Sequence, residues 1–181
     1  MHEKINMINK AGDKGQTSLY SGERISKSSL RVDTLGDLDE LVCVLGVARY
    51  HAQKKRIKKE ILDAQRDLFI AGSELATTKA NKNKLPKIID PQFLNSFEEK
   101  VKTLQEDTAL RGGFVIPGNS LCASYLHQAR TIARRCERKV VGLLEEKEID
   151  NEHLLVYFNR LSVYLYLMAW HEDENPTFLK E

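Results

Sequence analysis

The sequence is short of residues that interrupt helices and of residues that cluster around metals. It has 4 prolines and 10 glycines among 181 residues. The 3 cysteines, Cys43, Cys122 and Cys136, show no C-x-x-C spacing, and the 5 histidines lack ligand spacing. We therefore expect free, buried thiols in a reducing compartment rather than a zinc module or a disulfide framework. The paired Glu-x-x-His motifs of a di-iron bundle are also missing.

Long apolar runs and an excess of charge of one sign are missing too. No run approaches the roughly 20 apolar residues that span a bilayer, and residues 1–4 carry no signal-peptide core. The 28 Lys and Arg nearly balance the 26 Asp and Glu, for a net charge of +2, which does not favour nucleic acid as a partner. The basic run at 54–59 lacks interleaved aromatic residues, which favours a solvated face. We expect a cytoplasmic protein that contacts neither a membrane nor nucleic acid.

Apolar residues at three- and four-residue steps dominate what is present. Residues 1–28 form a polar, glycine-punctuated loop in our interpretation, residues 29–171 a helical bundle, and residues 172–181 a tail. The spacing predicts five helices, one from residue 29 and the others at about 58–77, 91–111, 120–146 and 152–170. Strand-like alternation is almost absent, so the predicted fold is all-α, a five-helix bundle in a single domain.

The loop contains the sequence K-A-G-D-K-G-Q-T-S at residues 10–18. Two glycines, two lysines and two hydroxyls could wrap a polyphosphate, with backbone N–H groups pointing inward and lysine neutralising charge. It is not a Walker loop, because no GxxxxGK[ST] motif occurs and no strand is predicted before it. An ordinary surface loop is the alternative.

The fourth predicted helix carries Arg130, Arg134 and Arg138 at four-residue steps. Arg130 and Arg134 directly follow seam residues, so we expect them to flank the buried face, where an unpaired charge is costly. They could clamp phosphate with bidentate geometry. The alternative is a solvated face held by ion pairs along the helix.

Other polar groups beside the predicted seams offer partners or contacts. Asp37, Asp39 and Glu40 of the first helix are candidate partners for the arginines. Asn159 is a poor residue for a helix interior, which indicates either a ligand contact or a structural hydrogen bond. No Ser-His-Asp or Cys-His arrangement can be argued from the chain.

Five ordered blocks resemble the PduO-type corrinoid adenosyltransferases. Residues 10–17 are similar to the family's K-T-G-D-x-G-x-T, with Ala11 in place of threonine. The other matches are GER at 22–24 with GDLDEL at 36–41, FVIPG at 114–118, RTIARRCER at 130–138 and NRLS at 159–162. Residues 50–112 contribute only helical pattern. Asn119 and Val163 depart from the glycine and aspartate usual in the family, and residues 168–171 lack a common arginine.

The resemblance implies a homotrimer of five-helix bundles that binds ATP between subunits and transfers its 5′-deoxyadenosyl group to the cobalt of cob(I)alamin. It implies a nucleotide site made by Asn9, Lys10, Ala11, Gly12, Asp13, Gly15, Thr17, Ser18, Lys27, Arg134, Arg135, Glu137, Arg138 and Asn159. Glu137 would contact Mg²⁺. Arg134 would act in catalysis, Asp39 would pair with Arg130 across the interface, and Phe114 would lie under the corrin and exclude the lower axial ligand.

That activity suits a chain without an evident nucleophile, because cob(I)alamin is itself a strong one. The arginines and Mg²⁺ would stabilise the departing triphosphate. A reductase and an adenosylcobalamin-dependent enzyme are the further partners that the resemblance implies. The alternative is a non-catalytic carrier of ATP or adenosylcobalamin, which the departures at Asn119 and Val163 motivate.

Overall fold

The computed structural model describes residues 10–108, 110, 112–173 and 175–179. Their α-helices are α1 (Leu30–His51), α2 (Lys55–Leu75), α3 (Pro91–Glu106), α4 (Leu121–Glu145) and α5 (His153–Glu172). Their short strands are β1 (Gln16–Ser18), β2 (Arg24–Ser26), β3 (Val115–Ile116) and β4 (Thr177–Phe178). The prediction of an all-α, five-helix fold is confirmed. In the described part of the chain, none of the helices combines the length and the apolar character that crossing a membrane requires.

Three of the helices begin at a side chain that accepts a hydrogen bond from the backbone N–H three residues later. These N-caps are Ser29 of α1, Asp90 of α3 and Ser120 of α4. Each such cap contributes about 1 kcal/mol. Pro91 follows Asp90 at the first position of α3, where its missing N–H costs nothing. The caps define where α1, α3 and α4 start, and the buried apolar residues determine which face of each helix packs against its neighbours.

Helix α4 lies between α1 and α5, and α2 and α3 pack on the outer sides of α1 and α5 respectively. The core contains Leu41 and Leu45 of α1 and Leu126 and Cys136 of α4, all fully buried. Buried residues occur along almost the whole of α5. The core therefore fixes the position of α5, the helix that carries Asn159 and Arg160.

The structure corrects the boundaries of several predicted elements. The third helix ends at Glu106 rather than near residue 111, and the second begins at Lys55 rather than near residue 58. The N-terminal loop contains an antiparallel β1–β2 hairpin, and β4, within the predicted tail, pairs with β3. Strands of two or three residues are too short to show a period of two in the sequence.

The expectation that all three cysteines are buried is wrong for Cys43. Cys122 and Cys136 are buried, and burial raises the pKa of each thiol to about 12. Cys43 is exposed. It lies two residues from both Leu41 and Leu45, so the helical period turns it away from the core face that they share.

Candidate nucleotide and corrinoid site

Helix α4 carries its basic residues on two different sides. At about 100° per residue, Arg130, Arg134 and Arg138 follow one another along one arc of the helix. Arg135 and Lys139 form a second arc, which faces α1. The arginines that look like one cluster in the sequence therefore meet two different surroundings.

On the side that faces α1, the cations have carboxylate partners within the chain. The Arg135 Nε lies 3.0 Å from the Asp37 Oδ2, and its guanidinium also contacts Glu40. The Lys139 Nζ lies 2.7 Å from the Asp37 Oδ2 and 2.7 Å from the Asp33 Oδ2. Asp37 and Glu40 thus meet the expectation that acids of the first helix pair with an arginine of the fourth.

The buried carboxylate of Asp37 is the centre of this network. Burial by itself raises its pKa, but the hydrogen bonds and charges of Lys139 and Arg135 outweigh burial and hold the pKa below its ordinary value. Asp39 is exposed on α1, so it remains available to a partner outside these contacts. Its predicted pairing with Arg130 across an interface is not tested within one chain.

On the side that faces α5, a shallow depression of about 240 Å³, open to solvent, lies between the helices, and we call it the cavity. Its lining residues are Arg130, Arg134, Ser162, Val163 and Tyr166. Arg130 is half-buried, and its Nε is buried with no hydrogen-bond partner among the described residues. An anion entering this cavity would supply the partner that this guanidinium lacks.

Arg134 is more open than the sequence predicted. Its side chain is 51% exposed, and its guanidinium Nη1 lies 3.8 Å from the Glu137 Oε2, which is a loose ion pair. Arg138 is exposed as well. The expectation that Arg130 and Arg134 both flank the buried face holds for Arg130 only, because each four-residue step turns the position about 40° further from the seam.

Asn159 of α5 lies beside the cavity and makes a hydrogen bond to Glu137 of α4. Its Nδ2 donates to the Glu137 Oε1 at 2.9 Å, and its Oδ1 accepts from the Arg160 Nη1 at 2.9 Å. The structural hydrogen bond considered for Asn159 is therefore present. Its contact with nucleotide stays a prediction.

The N-terminal loop folds compactly around two of its glycines. Gly15 adopts a φ of 76°, a value that favours glycine, and its carbonyl accepts from the Lys27 N–H at 2.9 Å. A Cβ at Gly12 would lie only 3.1 Å from the Lys27 Nζ, so glycine at this position lets the lysine approach. The structure thus brings together Gly12, Gly15 and Lys27.

The remaining predicted loop residues surround this turn. Lys10, Ala11 and Gly12 form one 3₁₀ turn, Asp13 follows it, and Thr17 and Ser18 belong to β1. The Ala11 carbonyl accepts from the Arg24 Nη2 at 2.7 Å, which ties the turn to β2. Asn9 lies outside the described residues.

Glu23 fastens the hairpin to the end of α2. Its Oε1 accepts from the Thr78 Oγ1 at 2.6 Å and from the Asn81 Nδ2 at 2.5 Å. Hydrogen bonds from Ser21 and Thr78 lower the pKa of Glu23 to about 2. These contacts of the loop go to the end of α2 and the turn that follows it, whereas the arginine-lined cavity belongs to α4 and α5.

Phe114 presents a free aromatic ring next to β3. Its side chain is 80% exposed, while its backbone carbonyl accepts from the Leu179 N–H at 2.8 Å. Phe178 of β4 packs against Trp170 with ring centroids 5.5 Å apart. The chain therefore holds the backbone of Phe114 firmly and leaves its ring available to a flat apolar ligand.

Sequence reasoning missed several residues of this site. Lys139 lies one helical turn after Arg135, and Tyr166 lies four residues after Ser162, so helical spacing could have indicated both. The contact between Glu23 and Thr78 has no such signal, because 55 positions separate the two residues.

The fold and the site together define a helical bundle that offers arginines and a glycine-containing loop to an anionic ligand. The sequence model described as cobalamin adenosyltransferase matches residues 7–172. The chain belongs to the cobalamin adenosyltransferase family, and its class is that of the transferases. The sequence-based prediction of the family and of the enzyme class is confirmed.

Relatives and solved structures agree with that membership. The chain is 38% identical over 169 residues to a corrinoid adenosyltransferase of Bacillus subtilis (strain 168), covering 91% of this chain and 85% of the relative. It is 33% identical over 167 residues to one of Citrobacter freundii, covering 92% and 94%. A variant PduO-type ATP:corrinoid adenosyltransferase from Lactobacillus reuteri, complexed with cobalamin and ATP, matches with a TM-score of 0.85 and 29% identity, over 97% of this chain and 100% of that chain.

Proposed function

We propose that this chain transfers the 5′-deoxyadenosyl group of ATP to the cobalt of cob(I)alamin, giving adenosylcobalamin and triphosphate. The cobalt(I) of the substrate attacks the ribose C5′, a cobalt–carbon bond forms, and the C5′–oxygen bond breaks. The triphosphate leaves with that electron pair, and the cobalt becomes formally cobalt(III). The observation that carries the proposal is the cavity lined by Arg130 and Arg134, in a chain of this family.

In this proposal the arginines stabilise the triphosphate as negative charge develops on it. Arg134 is best placed, because its guanidinium has only a loose ion pair with Glu137 and a bidentate contact to phosphate would be stronger. Arg130 lines the same cavity, and Arg138 adds positive charge further along the arc. Arg135 contributes less, since Asp37 and Glu40 already occupy its guanidinium.

On the loop side, the nucleotide site would be completed by Lys10, Ala11, Gly12, Asp13, Gly15, Thr17, Ser18 and Lys27. Asn9 is also predicted there. The approach of the Lys27 Nζ to Gly12 supports a phosphate contact, because it places an ammonium beside a turn with several backbone N–H groups. Asn159 would meet the nucleotide from α5. Phe114 would lie against the corrin and exclude its lower axial ligand, which its exposed ring supports.

We propose that Mg²⁺ arrives with the ATP phosphates, where it would neutralise their charge. In the described ranges no three His, Cys, Asp or Glu side chains converge as a metal site. The Glu137 carboxylate already accepts from Asn159 and lies near Arg134. Glu137 can therefore offer Mg²⁺ one contact but not a complete coordination shell.

The two halves of the nucleotide site favour an arrangement between subunits. The described loop contacts go to the end of α2, whereas Arg130 and Arg134 line a cavity at α5. In a homotrimer, the loop of one subunit could complete the cavity of the next. The same arrangement would let the exposed Asp39 reach the Arg130 guanidinium, whose Nε has no hydrogen-bond partner in the described part of the chain.

Exposed apolar residues mark a surface for that association. Val47, Tyr50 and Leu121 are 38%, 81% and 60% exposed, and they lie where the end of α1 meets the start of α4. The stacked rings of His51 and Tyr125, 6.3 Å apart, join the two helices there. We expect light scattering at micromolar concentration to give three times the chain mass of 20.7 kDa, and Tyr50→Glu to lower it; a wild-type monomer would contradict the shared site.

The alternative is a carrier that holds ATP or adenosylcobalamin without turnover. The observation that favours it is the apolar Val163 in the cavity, where the family usually has a carboxylate. The reductase, the adenosylcobalamin-dependent enzyme and the cytoplasmic location remain predictions.

The test is an anaerobic reaction of the purified protein with chemically reduced cob(I)alamin and Mg-ATP. The optical spectrum would report a light-sensitive cobalt–carbon product, and a separate assay would report triphosphate. Multiple turnovers with equal amounts of both products would support the transferase. Binding of ATP without either product would instead favour the carrier.

A further inference from the structure

A chain of four side-chain contacts runs from α3 to the arginine-lined cavity. The Arg160 Nε donates to the Glu98 Oε1 at 2.9 Å, and the Arg160 Nη1 donates to the Asn159 Oδ1 at 2.9 Å. The Asn159 Nδ2 then donates to the Glu137 Oε1 at 2.9 Å. The other Glu137 oxygen lies 3.8 Å from the Arg134 Nη1. Glu98 belongs to none of the sequence blocks that the family resemblance rests on.

The direction of this chain follows from donor chemistry. A guanidinium can only donate, whereas an asparagine amide has one donor end and one acceptor end. Arg160 can therefore meet only the oxygen of Asn159, which turns the amide nitrogen toward Glu137. Glu98 in turn fixes the plane of the guanidinium by accepting from its Nε.

We propose that Glu98 is a positioning residue for the nucleotide site, acting through Arg160 and Asn159 on Glu137 and hence on Arg134. The inference rests on the proposed function, in which Asn159, Glu137 and Arg134 hold Mg-ATP. Glu98 itself touches neither ATP nor corrinoid in this scheme. It orders the residues that do, as partners behind a ligand commonly do.

If Glu98 only stabilised the fold, Glu98→Gln would lower the melting temperature and would leave the Mg-ATP affinity of the folded protein unchanged. The side chains of Glu98 and Arg160 are each 44% exposed, and exposed ion pairs contribute little to stability. Glu98→Gln should therefore leave the melting temperature unchanged. A purely electrostatic role predicts the opposite change in Mg-ATP affinity, because removing a negative charge should strengthen binding of the anionic ATP.

The experiment compares Glu98→Gln with Asp107→Asn, a matched control. Asp107 accepts from the Arg56 Nη1 at 2.5 Å, and that pair joins α2 to the residue that directly follows α3, with side chains 39% and 50% exposed. Neither residue is among those that line the cavity. We expect calorimetry to show Mg-ATP binding weakened about three- to tenfold in Glu98→Gln, less than the roughly 10- to 100-fold typical of partners directly behind a metal ligand. The control should bind like wild type, and both melting temperatures should stay within about 2 °C of it.

The Arg160→Gln background tests whether the effect travels through Arg160. There Glu98→Gln should cause no further loss of Mg-ATP affinity, because the two changes break the same chain. An equal loss in both backgrounds, tighter binding, or an unchanged affinity in Glu98→Gln would each overturn the proposal. In turnover, the KM for ATP should rise with the dissociation constant while the KM for the corrinoid stays constant.

The binding measurement separates this inference from the proposed function. If the wild type binds Mg-ATP but forms no cobalt–carbon product, the transferase proposal fails, and the affinities still decide the role of Glu98. If the wild type does not bind Mg-ATP, both proposals fail.

Discussion

On the side of α4 that faces α1, Arg135 and Lys139 share the carboxylates of Asp33, Asp37 and Glu40. On the side that faces α5, Arg130 and Arg134 line a cavity whose adjoining carboxylate, Glu137, is already engaged by Asn159. The first side has two cations and three carboxylates, and it joins two helices. The second retains an excess of positive charge.

This difference shows how one arginine-rich block can serve two purposes. The helical period turns Arg135 of R-x-x-x-R-R-x-E-R toward α1 and leaves Arg130 and Arg134 on the side that faces α5. Arg135 pairs with Asp37 and Glu40 of α1 and so helps to hold the two helices together. The half-buried Arg130 has no hydrogen-bond partner for its Nε among the described residues. This is costly until an anion reaches it, and Asp39 of a neighbouring subunit or the bound nucleotide would remove that cost.

Arg134→Ala should produce the largest effect. It would remove an arginine from the cavity and leave the ion pairs between α4 and α1 intact. We expect the rate of adenosylation to fall at least about 100-fold, because a donor aimed at developing charge is lost. The melting temperature should change little, since the side chain is 51% exposed and its ion pair is loose.

Arg66→Ala is the matched control for this change. Arg66 is also an exposed helix arginine with an ion pair to a carboxylate three positions away, Asp63, at 3.2 Å. It should retain wild-type activity. Full activity in Arg134→Ala would contradict its assignment to the triphosphate.

Asp37→Asn should mainly affect the opposite side of α4. We expect the free energy of unfolding to fall by about 1–3 kcal/mol at pH 7, because Lys139 and Arg135 lose the carboxylate that they share. Urea unfolding would measure the loss. Mg-ATP binding should change far less than in Arg134→Ala; the reverse ranking would mean that the two sides of α4 are not separate in function.

The same variant has a defined pH dependence. The folded pKa of Asp37 lies below its ordinary value of 3.8, so its contribution to stability is complete above the unfolded pKa and is lost as the pH falls through the folded pKa. The stability gap between wild type and Asp37→Asn should therefore be constant from neutral pH to about pH 5 and close below about pH 3.8. A gap that persisted at lower pH would show that packing, not charge, is what Asp37 supplies.

The sequence predicted the features that depend on local spacing. The five helices and the arginine steps of α4 follow from a period of 3.6 residues, and the ordered blocks identify the family. The sequence did not predict that Arg135 would pair with α1 while Arg134 would not. That difference depends on which neighbouring helix has acidic residues within reach of each arginine. That information lies in the packing of α1 against α4, at positions almost 100 residues away in the chain.

Contacts between distant segments were the other part that the sequence could not supply. Glu23 reaches Thr78 and Asn81 at the end of α2, and Glu98 reaches Arg160. Glu23 lies in the GER block, but neither that block nor the sequence around Glu98 indicates which distant residue the carboxylate contacts. Likewise, nothing local shows that β4 pairs with β3 and fixes the backbone of Phe114.

Arg138→Ala should give the smallest effect. On the side of α4 that faces α5, it would separate a direct contact with the triphosphate from long-range attraction by positive charge. Arg138 is exposed and lies about 40° beyond Arg134 on the helix, so we expect it to attract ATP mainly as a screened charge. The KM for ATP should rise about two- to fivefold at low salt, and the difference should vanish near 0.5 M salt, where screening acts over a few ångströms. The loss in Arg134→Ala should persist at that salt concentration, because a desolvated bidentate contact is screened much less. If the Arg138 effect also survived high salt, the triphosphate would be held by a longer arginine clamp than the cavity alone defines.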